Sequence, residues 1–216
     1  MGFLNRSRRT PPGLRAMGSD YTAQGLGDYL ESLISRKSVF RDRDALRHDY
    51  LPSSLPHREE EVRRIGEILA PLLMNKKPSN ALIYGKTGTG KTASIKFTSK
   101  VIADKAKTRG TNFVMSYVNC RLEGTEYRTL AVIGESLGVS VPFTGLATNE
   151  VFKRISEKLR HAEINSLIIL DEIDVFVKSY GDDLLYELTR MNESLPNSRV
   201  VIIAISNDLS FKELLD

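Results

Sequence analysis

A glycine-rich octapeptide is the strongest chemical signal in the sequence. Residues 85–92 are Gly-Lys-Thr-Gly-Thr-Gly-Lys-Thr, preceded by the apolar run Ala-Leu-Ile-Tyr, and they match the pattern G-x-x-x-x-G-K-[ST]. Glycines let the backbone wrap around phosphates with successive N–H groups pointing inward. In this pattern the lysine reaches the β- and γ-phosphates and the last hydroxyl coordinates Mg²⁺. We therefore expect ATP or ADP with Mg²⁺ to bind here, through Gly85, Lys86, Thr87, Gly88, Thr89, Gly90, Lys91, Thr92 and Ala93.

Two adjacent carboxylates, Asp171 and Glu172, follow the apolar run Leu-Ile-Ile-Leu. Ligands of α/β sheets bind beyond the carboxyl ends of the strands, where these side chains are predicted to lie. Asp171 suits a hold on Mg²⁺ together with Thr92, and Glu172 suits a general base that deprotonates the attacking water. Acidic residues also simply cap strand ends, but a pair supplies a base for water and so favours hydrolysis. We expect Asp174, close by, to be a solvated or capping carboxylate.

A polar amide follows another buried run, Val200 to Ile205, in the sequence Ser-Asn-Asp. The side chain of Asn207 could reach the γ-phosphate or the attacking water, which adds it to Glu172, Asp171 and Lys91 as a candidate catalytic residue. Asparagine is also a common turn residue, so the residues alone leave both interpretations open.

The segment Leu55, Pro56, His57 and Arg58 precedes an apolar-striped helix that leads into the first strand. Such a segment could lie against an adenine and a ribose. An ordinary surface loop with an exposed histidine and arginine is the alternative, and the residues alone do not decide between the two.

Composition excludes several classes of protein. The chain has 216 residues, 41% of them apolar and 27% charged, as in a globular protein. It has no apolar run long enough for a membrane span. Cys120 is the only cysteine and the chain has three histidines, which excludes an internal disulfide and zinc spacing, and no partner pattern makes Cys120 a nucleophile. A formal charge of +4 gives weak support for nucleic-acid binding. These features predict a cytoplasmic protein that does not bind membranes.

Apolar periodicity predicts an α/β fold, with a central parallel sheet covered by helices on both faces. Residues 1–25 are predicted to be a flexible basic tail, either a solvated leader or a segment that touches phosphates. Helices are predicted within 26–47, from Glu59 to about residue 75, and over 92–107, 126–137, 149–161 and 181–191. Strands are predicted over 81–84, 113–118, 166–170 and 200–205.

Together, five segments resemble the archaeal origin-recognition initiators, which are AAA+ ATPases. They are YLPSSLPHREEE, LIYGKTGTGKT, the pair Asn119-Cys120, LIILDEID and ISNDLSFKELLD. The resemblance covers about residues 35–216 and implies a P-loop NTPase core. It assigns the phosphate loop to 85–92, the water-activating and Mg²⁺-binding acids to Asp171 and Glu172, and a sensor to Asn207. It places Leu55–Arg58 at the adenine pocket.

The resemblance also implies partners. Residues 122–144 resemble a helical insertion that contacts DNA, where Arg121, Tyr127 and Arg128 would be available; a plain polar helix surface is the alternative. The family binds double-stranded origin DNA, helps to load an MCM-type replicative helicase and assembles with other initiator subunits. The sequence ends directly after the sensor strand, so residues 26–216 are expected to be an ATPase base domain, with the family's lid and winged helix absent.

Three other functions compete with an initiator ATPase. A clamp-loader subunit, or another AAA+ remodelling ATPase, would show no preference for origins. A signalling NTPase switch that acts as a binding scaffold would retain nucleotide and bind no DNA. A small-molecule kinase would need an acceptor site, and Glu172 favours water as the acceptor instead.

Overall fold

The structure is a computed structural model that describes residues 23–35 and 50–214, without the side chains of residues 23, 212 and 214. It divides into two units, one ending at Tyr50 and the other starting at Leu51. In the first, helix α1 (Ala23–Ser35) overlaps the helix predicted within residues 26–47 and begins three residues earlier, so residues 23–25 of the predicted tail are helical. The rest of that predicted helix and residues 1–22 of the predicted tail lie outside the described residues.

In the second unit all the predicted strands and helices occur in the predicted order, together with two short helices that were not predicted. None of the helices described in either unit combines the length and apolar character that crossing a membrane requires. The elements, in chain order, are α2 (Glu59–Leu69), a 3₁₀ segment (Ala70–Met74), β1 (Ala81–Tyr84), α3 (Lys91–Thr108), β2 (Phe113–Asn119), α4 (Cys120–Glu123), α5 (Glu126–Ser136), α6 (Thr148–His161), β3 (Asn165–Asp171), α7 (Ile173–Tyr180), α8 (Asp183–Arg190), a 3₁₀ segment (Met191–Glu193), β4 (Arg199–Ser206) and a last 3₁₀ turn (Phe211–Leu214).

The four strands form one parallel sheet in the order β1-β4-β3-β2, which confirms the predicted parallel arrangement. In this register Tyr84 pairs with Ser206, and Asn119 pairs with Asp171. All four strands therefore end at the same edge of the sheet. The chain that follows each strand starts from this edge, so it brings together segments that are far apart in sequence.

Both faces of the sheet are buried, as the unbroken apolar strands predict. β3 is buried along its whole length. One face packs against α2, the 3₁₀ segment Ala70–Met74 and α3 through Ile65, Leu69, Leu72, Ile95 and Ile102. The other face packs against α5, α6, α7 and α8 through Leu130, Ile133, Ile155, Leu159, Phe176 and Leu188. Each of these side chains contributes about 1.5–3 kcal/mol to stability when fully buried. The two apolar layers therefore hold the sheet, and the polar segments at its carboxyl edge, in place.

The segment between β3 and β4 differs from the sequence prediction. A single helix was expected over 181–191, whereas the structure has α7 and α8 in succession. Gly181 separates them: its backbone adopts φ +82° and ψ −173°, a conformation open almost only to glycine, and its N–H donates to the carbonyl of Val177 at 2.9 Å. Gly181 thus ends a helix rather than beginning one.

Replacement of Gly181 by alanine should destabilise the protein by about 1–3 kcal/mol, because only glycine adopts this conformation without strain. An added Cβ would meet no atom within 4 Å, so the loss would come from the backbone alone. The matched control is Gly66→Ala within α2, where the added Cβ would lie 3.9 Å from a Thr98 methyl group. Alanine there should stabilise the helix by about 0.5–1 kcal/mol. Urea unfolding of both variants measures the difference, and equal midpoints would contradict this account of Gly181.

Candidate functional site

The glycine loop, residues 85–90, connects β1 to α3 at the carboxyl edge of the sheet. Gly88 and Gly90 have φ values of +79° and +81°, which a residue with a Cβ adopts only under strain. Gly90 is the residue before α3, and no side chain caps that helix end. The first N–H groups of an α-helix lack partners within the helix and carry partial positive charge. The loop and the start of α3 can therefore accept an anion with backbone N–H groups.

Lys91 lies over this loop with all three ammonium protons engaged. Its Nζ donates to the carbonyl of Gly85 at 2.8 Å, to the carbonyl of Lys86 at 2.9 Å and to Oδ1 of Asn207 at 2.9 Å. Asn207 directly follows β4, which neighbours β1 in the sheet. The structure thus brings together two predicted site residues that are separated by more than a hundred positions.

Asp171 is the most enclosed member of the site, with only 6% of its surface exposed. Its Oδ2 accepts hydrogen bonds from Oγ1 of Thr92 at 2.9 Å and from the hydroxyl of Tyr117 at 2.7 Å. Its Oδ1 accepts from the backbone N–H of Glu172 at 2.9 Å. A buried carboxylate needs such donors to offset the loss of water. Thr92 and Asp171 were predicted as a pair, whereas Tyr117 was not predicted at all.

The oxygen donors of Thr92 and Asp171 fit a magnesium ion. Mg²⁺ prefers hard oxygen ligands, keeps several waters, and is usually held by one or two protein groups together with phosphates of the substrate. No group of three or more His, Cys, Asp or Glu side chains that could hold a metal occurs among residues 23–35 and 50–214. In this part of the chain, a metal at Thr92 and Asp171 would need phosphate oxygens and waters as its remaining ligands.

Glu172 has a left-handed backbone, with φ +55° and ψ +40°, at the start of α7. This conformation costs a non-glycine residue about 1–2 kcal/mol. One carboxylate oxygen accepts from Nδ2 of Asn119 at 3.4 Å, and the other lies 3.5 Å from Nη1 of Arg121. Asn119 also caps α4, since its Oδ1 accepts from the N–H groups of Arg121 and Leu122 at 3.1 Å. The predicted base is thus held by the last residue of β2 and by a residue of α4.

Asp174 differs from its expected role as a solvated or capping carboxylate. It is 9% exposed, and its Oδ1 accepts from the backbone N–H of Asn207 at 3.1 Å. Asp174 thereby ties α7 to the segment that follows β4 and helps to fix Asn207 beside Lys91. The sequence signal for this role was weak, because a carboxylate in the first turn of a helix usually faces solvent.

Of the segment Leu55–Arg58, the arginine is placed at the glycine loop. Its guanidinium lies so close to Gly90 that a Cβ added there would be 3.6 Å from Cζ of Arg58. The same guanidinium pairs with Glu61 at 3.1 Å. His57 is exposed with φ +60°, and its N–H donates to Glu59 at 3.3 Å. A role for Leu55, Pro56 and His57 in holding adenine stays a prediction.

The predicted DNA-contacting residues have partners within the protein. Arg121 pairs with Glu172 but is 68% exposed along its side chain. The hydroxyl of Tyr127 donates to the carbonyl of Pro142, and Arg128 pairs with Glu123 at 3.0 Å. Two large apolar side chains of this segment, Leu122 and Phe143, are 79% and 81% exposed.

Cys120 is buried, as expected for a structural thiol. Burial is the main reason that the pKa of its thiol rises to about 12, with the carboxylate of Asp171 adding to the shift. A raised pKa disfavours the reactive thiolate, and the absence of a nucleophilic role for Cys120 stays a prediction.

Comparisons with known proteins find relatives that match most of this chain. A family model described as "AAA domain" matches residues 74–214. The ORC1-type DNA replication protein 1 of Sulfurisphaera tokodaii is 47% identical over 189 residues, which cover 88% of this chain and 47% of the relative. The solved structure of the Aeropyrum pernix ORC1 protein in complex with DNA has a TM-score of 0.76 at 45% identity, and the match covers 82% of this chain and 45% of that one.

A second solved structure, the Aeropyrum pernix ORC2 protein in its ADPNP-ADP complexes, has a TM-score of 0.71 at 26% identity. The match covers 81% of this chain and 47% of that one. The chain therefore spans about half the length of the relatives it matches. These findings confirm the resemblance to origin-recognition initiators and the predicted fold class.

Replacement of Asp174 by alanine should destabilise the protein by about 1–3 kcal/mol, because the N–H of Asn207 would lose its acceptor. Asp174→Asn is the matched control, since the amide keeps a carbonyl oxygen at the same place. We expect the asparagine variant to retain most of the stability in thermal unfolding. Equal losses in the two variants would show that the N–H of Asn207 does not depend on this acceptor.

Proposed function

The chain belongs to the AAA domain family and is similar to ORC1-type DNA replication proteins, and from this premise we propose that it binds and hydrolyses ATP in a replication initiator. The observation that carries the proposal is the convergence of Lys91, Thr92, Asp171, Glu172 and Asn207 at one edge of the sheet. These residues come from three separate segments, and each has a chemical type suited to a step of phosphoryl transfer to water.

Nucleotide binding rests on the glycine loop and the start of α3. Backbone N–H groups of residues 85–92 surround the polyphosphate, and the Lys91 ammonium carries the positive charge that the β- and γ-phosphates require. In the structure this ammonium donates to the carbonyls of Gly85 and Lys86. Phosphate oxygens are better acceptors for an ammonium than carbonyls are, because both partners are then charged. Binding is therefore accompanied by a change of partners at Lys91.

Thr92 would hold Mg²⁺ through its hydroxyl, and Asp171 would hold it directly or through a water. The ion would supply positive charge that offsets the negative charge of the phosphates during the reaction. The hydrogen bond between Oγ1 of Thr92 and Oδ2 of Asp171 at 2.9 Å supports this assignment. It directs the threonine proton towards the carboxylate and leaves a lone pair of the hydroxyl for the metal.

Hydrolysis depends on Glu172 as the general base and on Asn207 as a group that orients the γ-phosphate or the attacking water. In the structure the Glu172 carboxylate is engaged by Asn119 and Arg121, at distances of 3.4 and 3.5 Å that make both contacts weak. A rotation of the side chain frees the carboxylate for water. The left-handed backbone of Glu172 supports a functional role, since backbone strain of this kind clusters at active sites.

The nucleoside is proposed to lie beside Leu55, Pro56, His57 and Arg58. The closeness of the Arg58 guanidinium to Gly90 supports a position of this segment beside the phosphate loop. Arg58 can then meet the phosphates or the ribose, while the turn before it, at Pro56 and His57, meets the adenine.

The proposed partners are double-stranded origin DNA, an MCM-type replicative helicase and other initiator subunits, with no membrane contact. Exposure of Arg121, Leu122 and Phe143 supports a DNA-facing surface in the segment after β2. The Aeropyrum pernix ORC1 protein was solved in complex with DNA, which supports the same partner here. A footprint of the native protein restricted to origin-proximal DNA separates this function from that of a clamp-loader subunit or a signalling switch.

Two substitutions should separate binding from hydrolysis. Lys91→Ala should weaken ATP binding about 10- to 100-fold, because the polyphosphate loses an ammonium partner. Glu172→Gln should bind ATP with nearly wild-type affinity but hydrolyse it about 10²- to 10⁴-fold more slowly, because an amide cannot accept the proton of water. Equilibrium titration with a labelled ATP and phosphate-release assays on the full chain measure the two effects.

Lys86→Ala is the matched control for Lys91, since it removes an exposed ammonium from the same loop. Its effect on affinity should be smaller than that of Lys91→Ala. Wild-type affinity in Lys91→Ala would overturn the assignment of the site, and wild-type turnover in Glu172→Gln would remove Glu172 from the role of base.

A further inference from the structure

The hydroxyl of Tyr117 occupies a place in the site that the proposed function leaves without a role. It donates to Oδ2 of Asp171 at 2.7 Å, the same oxygen that accepts from Thr92. Asp171 thus has three donors, and Tyr117 contributes the shortest of the three bonds. The other two come from the neighbouring residue in the chain and from the threonine that is proposed to meet the metal.

The sheet register explains how Tyr117 reaches this oxygen. In the parallel pair of β2 and β3, Tyr117 lies opposite Ile169 and Asn119 lies opposite Asp171. Tyr117 and Asp171 are therefore diagonal neighbours on the same face, a separation that long aromatic side chains span.

The ring of Tyr117 is held from the side of α3. Nζ of Lys96 lies 3.9 Å from the ring centroid, a cation–π contact. Lys96 follows Thr92 by four residues, so both lie on the same face of α3. The same face of α3 thus contacts the Asp171 carboxylate through Thr92 and the Tyr117 ring through Lys96. These contacts limit the movement of the Tyr117 hydroxyl.

The Tyr117 hydroxyl donates to Oδ2 of Asp171 from the strand beside β3. Its contribution is to fix the plane of a carboxylate that has one oxygen turned towards Thr92.

We propose that Tyr117 is a positioning residue: its hydroxyl orients the Asp171 carboxylate for the magnesium ion that binds with the nucleotide. This inference rests on the proposed function, since it concerns the metal of the same site. Groups that orient metal-binding carboxylates from behind typically change metal affinity 10- to 100-fold when they are removed. Tyr117 acts on the ion through Asp171 and does not contact it.

Tyr117→Phe tests the proposal, because it removes one oxygen atom and keeps the ring and its contact with Lys96. Binding of a fluorescent, non-hydrolysable ATP analogue to the full chain is titrated with Mg²⁺. The Mg²⁺ concentration for half-maximal binding should rise about tenfold, while the affinity in excess EDTA should stay within about twofold of the wild type. An unchanged Mg²⁺ requirement would overturn the proposal.

Tyr186→Phe in α8 is the matched control, since it also removes a tyrosine hydroxyl that has a hydrogen-bond partner, Arg190, but lies outside the site. It should leave the Mg²⁺ titration unchanged. Thermal unfolding of each variant shows whether a change in binding is caused by a loss of stability. A purely structural role of Tyr117 would lower the melting temperature and weaken binding equally with Mg²⁺ and with EDTA, which would contradict the proposal.

A double-mutant cycle with Asp171→Ala shows whether Tyr117 acts through the carboxylate. In the Asp171→Ala background, Tyr117→Phe should have no further effect on the Mg²⁺ requirement. A full tenfold rise in that background would refute action through Asp171. If the wild-type chain binds no ATP analogue at any Mg²⁺ concentration, the proposed function itself fails, and this outcome differs from a Tyr117→Phe variant that matches a binding wild type.

Discussion

A buried carboxylate at the end of the third strand is the constraint on which the rest of the site depends. Asp171 is almost fully enclosed, so each of its oxygens must be met by a donor from the protein. The donors come from three directions: Thr92 at the start of α3, Tyr117 in the neighbouring strand and the N–H of the next residue. Satisfying this one group fixes the start of α3 relative to the sheet, and the glycine loop with it.

The segment that follows Asp171 contains a strained backbone at the carboxyl edge of the sheet. Glu172 takes a left-handed backbone so that α7 can begin at once, and Gly181 ends that helix after two turns. The short helix carries Asp174 back towards the chain after β4, where it holds the N–H of Asn207. The cost of the Glu172 conformation is offset by packing of α7 through Ile173, Phe176 and Val177. Glu172, after β3, and Asn207, after β4, are thereby held in fixed positions relative to each other.

The sequence predicts the parts of this architecture that have local signals. All four strands are predicted within a residue or so of each end, because each is an unbroken apolar run between helices. The glycine loop and the pair Asp171–Glu172 follow from motif spacing. Tyr117 and Asp174 are missed, because their contacts join residues 54 and 33 positions apart, and their residue types in isolation indicate a half-buried strand and a helix start. Helix α7 is missed, whereas α8 falls within the helix predicted over 181–191, since the sequence does not show that a helix also ends at Gly181.

The central claim is that the glycine loop is a polyphosphate site completed by the end of β3. The most direct measurement is a crystal structure of the full chain with Mg²⁺ and a non-hydrolysable ATP analogue. The account predicts the polyphosphate within residues 85–92, the ion beside Thr92 and Asp171, and the Lys91 ammonium on phosphate oxygens instead of the carbonyls of Gly85 and Lys86. A nucleotide bound elsewhere, or a Lys91 that keeps its carbonyl partners beside bound nucleotide, would contradict it.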